Sequence, residues 1–267
     1  MDVVLIGYGA IAQEVLKRIS EEEPAKIRGI VVRAARVEEV RAAVKARGIE
    51  VGTSLDALGF RPDLVAECAG HGGVRDFGAD TLRRSIDFLV ISIGALADAA
   101  LEAELRAAAE EGGAKLVLAA GAVAGADALT AARVGGLLRV SYTSRKPPGA
   151  WKGTPAEKVC DLDAVTEEAE LYAGTARAAA TDYPQNANVA ATIALAGAGF
   201  EETQVRLVAD PAAGGNVHQL EAEGTFGSFS MEIRGNPLPD NPKTSTLAAH
   251  SVVAEIRRRA GAVEIGG

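Results

Sequence analysis

A glycine-rich turn near the N-terminus constrains this chain more than any other feature. The aliphatic, β-branched run Val3-Val4-Leu5-Ile6 ends at Gly7, and a helical pattern begins at once through Ile11, Val15, Leu16 and Ile19. That is the signature of a buried strand turning tightly into a helix. The spacing Gly7-x-Gly9-x-x-Ala12 matches the G-x-G-x-x-G/A turn that receives the pyrophosphate of a dinucleotide. Gly7 permits the tight turn, Gly9 lets backbone approach phosphate, and Ala12 lets the helix pack closely on its strand. Ala10, Ile11 and Ala12 open the helix, whose unpaired amides and positive dipole end favour an anion. The alternative is a tight strand-to-helix turn with no ligand.

The segments that follow extend this unit. Ile27 to Val32 reads as a second strand, at whose end an NAD-preferring unit usually carries Asp or Glu for the ribose 2′-hydroxyl. Here the strand runs into Arg33, with Arg36 close behind. An absent acid and two cations accommodate a 2′-phosphate, so use of both NAD and NADP is expected. Solvated arginines with NAD bound without the carboxylate are the alternative. Helices at Val37–Arg47, Val74–Arg84 and Ala97–Glu110 then alternate with strands at Asp63–Cys68, Phe88–Ser92 and Lys115–Leu118. Alternation of this kind predicts an α/β, Rossmann-type, doubly wound parallel sheet over residues 1–120. Ligands bind such sheets at the carboxyl ends of the strands. Small, glycine-rich segments stand there: Ala69-Gly70-His71-Gly72-Gly73, Ser92-Ile93-Gly94-Ala95 and Ala120-Gly121-Ala122.

Beyond Gly121 the pattern changes to that of an α+β domain with a mixed or antiparallel open sheet, over residues 121–245. A helical stretch at Asp127–Val134 leads to an alternating strand at Leu138–Thr143, and Arg145 to Gly149 reads as a loop that cannot continue a ladder. Helices are expected at Thr175–Asp182 and from about Asn186 to Ala198. Three alternating strands, Thr203–Ala209, Val217–Glu223 and Phe229–Arg234, are expected to form an antiparallel meander. Pro237, Pro239 and Pro242 read as a rigid connector. The last segment, 246–267, is read as a helix at Ser245–Arg259 returning to the first domain, followed by a short strand at Ala262–Ile265.

Composition narrows the function classes. A net charge of −8 argues against nucleic acid or an anionic membrane as partner, and no apolar run reaches spanning length. The start Met1-Asp2-Val3 shows no basic region of a signal peptide. Cys68 and Cys160 stand far apart and His71, His218 and His250 are scattered, so a reduced, cytoplasmic protein with no metal is expected. With 48% hydrophobic but only 4% aromatic residues, the apolar content is carried by Ala, Gly and Val, which suits helices packed closely on a sheet.

Two polar segments of the second domain are candidates for chemistry. In Tyr183-Pro-Gln-Asn-Ala-Asn-Val-Ala-Ala-Thr192, capping explains one of Asn186 and Asn188 but not both. A second asparagine near a helix N-terminus suits a hydrogen bond to a ribose or carboxamide. In Asn216-Val217-His218-Gln219, His218 opens a strand after a turn, and an imidazole titrating near neutrality suits proton transfer. A structural histidine is the alternative.

With these residues the chain resembles the L-aspartate dehydrogenase family, NAD(P)-dependent amino-acid dehydrogenases with a Rossmann domain and an α+β catalytic domain. The matching stretches are Gly7-Tyr-Gly-Ala-Ile-Ala12, Glu67-Cys-Ala-Gly-His71, Ser92-Ile-Gly-Ala95 and Gly121-Ala-Val-Ala-Gly-Ala-Asp-Ala-Leu129. They continue with Tyr142-Thr-Ser-Arg-Lys-Pro147, Trp151-Lys-Gly-Thr-Pro155, Tyr183 to Thr192, Asn216-Val-His218 and Asn241-Pro-Lys-Thr-Ser245. The resemblance covers essentially the whole chain. It implies that His218 is the active-site histidine, that Ala122 and Asn188 contact the cofactor, and that iminosuccinate feeds NAD biosynthesis. Aspartate would then be oxidised to iminosuccinate, which water converts to oxaloacetate and ammonia. The substrate's two carboxylates call for cations or amides, for which Lys243 with Thr244, and Arg145 with Lys146, are candidates; a solvated surface charge is the alternative for each. A homodimer is expected. Homoserine dehydrogenases and dihydrodipicolinate reductases share the general plan, and a non-enzymatic cofactor sensor is the reading from another class.

Overall fold

The computed structural model describes residues 1–184, 187–239 and 241–263; of 187, 242 and 243 it describes the backbone only. The chain divides into two compact units, Met1–Ala119 with the stretch from Ala248, and Ala120–Leu247.

In the first unit the elements are β1 (Asp2–Ile6), α1 (Ala10–Arg18), β2 (Lys26–Val31), α2 (Val37–Val44), β3 (Glu50–Gly52), β4 (Leu64–Glu67), α3 (His71–Arg83), β5 (Asp87–Val90), α4 (Ala99–Gly112) and β6 (Leu116–Leu118). The strands pair in parallel in the order β3-β2-β1-β4-β5-β6. The chain winds outward from β1 to β3, returns to β4 and winds the other way, so the topological switch lies between β1 and β4. β1 and β4 are buried on both faces, as the apolar runs Val3–Ile6 and Leu64-Val65-Ala66 require, with Glu67 buried at the end of β4. Helix α1 buries Ala12, Val15 and Leu16 and carries Lys17 and Arg18 at its negative end. Helix α4 starts at Ala99 rather than Ala97 because the Asp98 side chain accepts from the amides of Ala100 and Leu101.

The second unit contains α5 (Ala126–Gly135), β7 (Leu137–Lys146), β8 (Ala169–Thr175), α6 (Ala176–Asp182), α7 (Ala187–Ala196), β9 (Thr203–Ala209), β10 (Asn216–Gly224), β11 (Gly227–Gly235), β12 (Pro237–Leu238) and β13 (Asn241–Ser245). Its main sheet is mixed, in the order β11-β10-β7-β9-β8, with β7 antiparallel to β10 and parallel to β9. Along β7 burial alternates: Val140, Tyr142 and Ser144 are buried, while Arg139 on the other face is exposed. That other face carries ion pairs such as Arg206 with Glu170 (2.7 Å) and Arg145 with Glu168. Finally α8 (Thr246–Ala260) places Val252, Val253 and Ile256 in the core of the first unit and pairs Arg257 with Glu23 and Arg259 with Asp87.

The structure corrects four sequence expectations. The three strands β9, β10 and β11 form no meander, because β7 lies between β10 and β9. The turn after β9 is tied to the end of β7 by Asp210 N donating to Lys146 O, 2.9 Å, and so reaches past β7 to β10. Turn residues look alike whether they join neighbouring strands or alternate ones. Arg145 and Lys146 are not in a loop. They continue β7, paired with Val217 and Ala209, and the ladder stops only at Pro147. The proline-rich connector contains an antiparallel pair, β12 with β13, short enough to tolerate Pro237 and Pro242. Ala262 and Val263 form no strand, and the remainder of that expected strand lies outside the described residues. Asn186, where a helix was expected to begin, also lies outside them. Besides β12 and β13, two further strands went unanticipated, β3 and β8: the first spans three residues, and β8 is interrupted by a bulge between Glu170 and Tyr172.

Candidate active site

In the first unit the fingerprint forms a cradle. Gly7 has φ 94°, and its amide donates to Val31 O at 2.8 Å, closing the turn beside β2. A Cβ on Gly7 would stand 3.0 Å from both Ala69 Cβ and Cys68 O, so a side chain there is excluded by conformation and by space. Gly9 caps α1 with nothing nearer than 4.0 Å to the place a Cβ would take, which leaves room for a ligand. The first turn of α1 holds no acid and no side-chain cap, so the amides of Ala10, Ile11 and Ala12 end in an uncompensated positive dipole. These features fit a pyrophosphate.

Arg33 stands exposed at the end of β2, at the start of a single helical turn over Ala34–Arg36. Arg36, by contrast, is engaged. It pairs with Glu39 at 2.7 Å and reaches Tyr8 O at 3.4 Å, its guanidinium 5.9 Å from the Tyr8 ring centroid. Ala69 and Gly70 form the turn between β4 and α3, where Gly70 has φ 91°. Their amides point at the buried Glu67 carboxylate, a residue that sequence reasoning passed over.

In the second unit the polar groups come from strand faces. His218 lies on β10, and its Nδ1 is 2.8 Å from Tyr142 Oη on β7 in a buried contact. The rings stack at 6.0 Å. Burial, reinforced by the charge of Lys146, pushes the His218 pKa down to about 4, so the imidazole is neutral near pH 7 and does not titrate there as expected from sequence. Burial pushes the Tyr142 phenol up, keeping it protonated. Ser144 sits opposite His218 in the register, also buried. Lys146, two residues further, has its Nζ 5.0 Å from the Trp151 ring centroid, and burial lowers its pKa to about 8. A small cavity beside His218 and Tyr142 is lined by Val123, Ala124, Val189 and Ile193.

The structure separates residues that the sequence put together. Period-two alternation sends Lys146 to the same face as Tyr142 and Ser144, and Arg145 to the opposite face, where it pairs with Glu168. Ala122 is buried in the loop before α5, next to the Val123 and Ala124 that line the cavity. Asn188 is exposed in the first turn of α7, and its carbonyl accepts from Thr192 Oγ1 at 2.9 Å. Thr244 Oγ1 lies 3.0 Å from Asn241 Nδ2, and the Lys243 side chain lies outside the described residues. Tyr142 and Ser144 were missed as site residues. Their signal was present in Tyr142-Thr-Ser-Arg-Lys146, where alternate residues share a face. Among the described residues, no cluster of His, Cys, Asp or Glu has the makings of a metal site, and no helix is long and apolar enough to cross a membrane.

Comparison with known proteins divides the chain at nearly the same place. Residues 7–119 match the family described as the NAD-binding domain of homoserine dehydrogenase, and residues 127–259 match that described as the C-terminal domain of aspartate dehydrogenase. The parallel-sheet unit is therefore an NAD(P)-binding domain. The aspartate dehydrogenase of Thermotoga maritima, at 22% identity and a TM-score of 0.78 over 100% of this chain and 99% of its own, shares the fold. Two sequence relatives are nearer: the L-aspartate dehydrogenase of Ruegeria pomeroyi is 47% identical over 98% of this chain and 93% of its own length, and that of Pseudomonas aeruginosa is 45% identical over 99% and 100%. With such identity sustained along both units, the chain belongs to the L-aspartate dehydrogenase family.

Proposed function

We propose that this protein oxidises L-aspartate to iminosuccinate with NAD or NADP, and catalyses the reverse reductive amination of oxaloacetate with ammonia. The observation that carries the reading is the 47% identity to an L-aspartate dehydrogenase across both units. The cofactor, when bound, supplies the acceptor for the hydride that leaves C2 of aspartate. The chain's own residues hold and protonate. The α1 amides and Gly9 receive the pyrophosphate, Ala69 and Gly70 line the strand-end surface, and Ala122 and Asn188 are the family's cofactor contacts in the second unit. Arg33 meets the ribose end, where the absence of an acid admits NADP.

His218 handles the proton. Neutral in the free protein, it takes up the proton that the substrate amine must lose before C2–H cleavage once the two substrate carboxylates stand beside it and raise its pKa, provided Nδ1–H donates to Tyr142 and Nε2 keeps its lone pair. Tyr142, with its pKa raised, keeps the ring in that orientation. Lys146 supplies a cation for a substrate carboxylate, and Thr244 and Lys243 complete the candidates; Arg145, on the opposite face and paired with Glu168, is no longer one of them. Water then adds to the imine carbon, expelling ammonia. The same reading has the protein act in the cytoplasm as a homodimer and pass iminosuccinate to NAD biosynthesis. The test is oxidation of NADH or NADPH with oxaloacetate and ammonia. Turnover with either cofactor is expected, and its absence in a folded protein overturns the proposal.

A further inference from the structure

Glu67 ends β4 with its side chain fully buried, and none of the steps above uses it. Its Oε1 accepts from the amides of Ala69 and Gly70, both at 2.6 Å, and from Ser92 Oγ at 3.1 Å. Its Oε2 accepts from the amide of Ser92 at 3.1 Å. Four donors and no acceptor converge on one side chain, which suits a carboxylate and not an amide. Among the described residues no ion pair with a cation offsets that charge, and burial pushes the Glu67 pKa up, so the four donors are what favour the carboxylate form.

The donors come from two loops, one after β4 and one after β5, and both lie on the same side of the topological switch. The β1 turn receives the pyrophosphate, and the end of β2, at Arg33, meets the ribose of the adenosine half. A dinucleotide laid across the switch therefore has its nicotinamide half over the ends of β4 and β5. The loop held by Glu67 also touches the fingerprint. Cys68 O and Ala69 Cβ are the atoms that exclude a side chain at Gly7. At Gly73, in the first turn of α3, a Cβ would meet Ala69 Cβ at 2.9 Å and Glu67 Cγ at 3.3 Å, so that helix packs directly on the clamp.

We propose that Glu67 is a positioning residue for the cofactor, whose carboxylate locks the loops after β4 and β5 into the surface on which the nicotinamide half rests. The proposal depends on the cofactor reading of the first unit and not on the identity of the amino-acid substrate. The test therefore uses cofactor binding alone, in the full-length protein without substrate. NADH and ADP are titrated against the wild type, Glu67→Gln and Ser92→Ala. ADP probes the adenosine half and the pyrophosphate cradle. Glu67→Gln keeps the size but turns an N–H toward backbone N–H groups, and should weaken NADH about tenfold. Ser92→Ala, which removes one donor, should weaken it about threefold. ADP affinity should stay within about twofold in both. Unchanged NADH affinity, or equal losses for NADH and ADP, overturns the proposal, since equal losses mean general collapse of the cradle. If Glu67→Gln does not fold, Ser92→Ala decides by the same criteria. Absence of aspartate turnover would sink the proposed activity and leave this result standing.

Discussion

The two units present their polar groups by different means. In the parallel sheet they are backbone amides at the start of α1, where Gly7 and Gly9 place no side chain in the turn and no side chain caps the helix. In the mixed sheet they are side chains on one strand face, with Tyr142 and His218 brought together from 76 positions apart. Backbone recognition tolerates most changes in neighbouring side chains, as long as the turn keeps its shape. A side-chain cluster depends on register, since a one-residue slip of β7 against β10 would turn Tyr142, Ser144 and Lys146 to the opposite face. The first unit is therefore most vulnerable at glycines and the second at individual polar side chains.

The largest expected effect tests the second half of that contrast. His218→Ala should lower turnover by about 10²–10⁴-fold with NADH affinity retained, because the fingerprint lies in the other unit. His218→Asn keeps size and polarity without an imidazole and should fall nearly as far. Near-normal turnover per folded molecule, with a reduced Tm, would instead make His218 a structural partner of Tyr142.

Gly7→Ala tests the first half. A Cβ at φ 94° and 3.0 Å from Ala69 distorts the cradle, so NADH affinity should fall by about tenfold or more while the second unit is untouched. Circular dichroism and NADH titration together check this. Unchanged affinity would show that the turn's shape is not what binds.

Lys146 supplies the pH dependence. Its pKa is lowered to about 8, so the ammonium predominates below that pH and is lost as pH rises through it. If the cation holds a substrate carboxylate, KM for oxaloacetate should rise above about pH 8. Lys146→Arg, charged throughout, should flatten that rise, and Lys146→Met should raise KM at all pH values. A KM profile identical in wild type and Lys146→Arg would remove Lys146 from substrate binding.

The smallest effect concerns cofactor choice. NADP should bind within about tenfold of NAD, a difference of about 1.4 kcal/mol. Arg33→Asp should shift the ratio toward NAD. Arg36 is the weaker lever, because Glu39 and Tyr8 already occupy its guanidinium. An unchanged ratio in Arg33→Asp would assign the ribose end to other residues.

What could be read in advance followed the range of the interactions involved. Strand-to-helix alternation and the Gly7-x-Gly9-x-x-Ala12 spacing are local, since the chemistry of the β1 turn is contained in six consecutive residues. The parallel sheet could therefore be anticipated from strand and helix periods, with only the three-residue β3 missed. In the second unit the periods of β9, β10 and β11 were legible, but their neighbours were not. Pairing of β7 between β10 and β9 is chosen by burial of Val140, Tyr142, Leu220, Val205 and Leu207 on one face, a choice that no single segment records. His218 could be named as a candidate from its motif. Its protonation could not, because the shift to about 4 arises from burial and from Lys146 on another strand.

Sequence alone thus determined where the backbone must bend, which runs must be buried and where the tight Gly7-x-Gly9-x-x-Ala12 turn from strand to helix stands, because these follow from φ, periodicity and the chemistry of adjacent residues. Tertiary structure decided which strands became neighbours, that Arg145 and Lys146 part to opposite faces, and that Glu67 gathers donors from two loops. Those outcomes depend on which surfaces exclude water together and on the desolvation of charges inside them, and both are properties of the assembled fold.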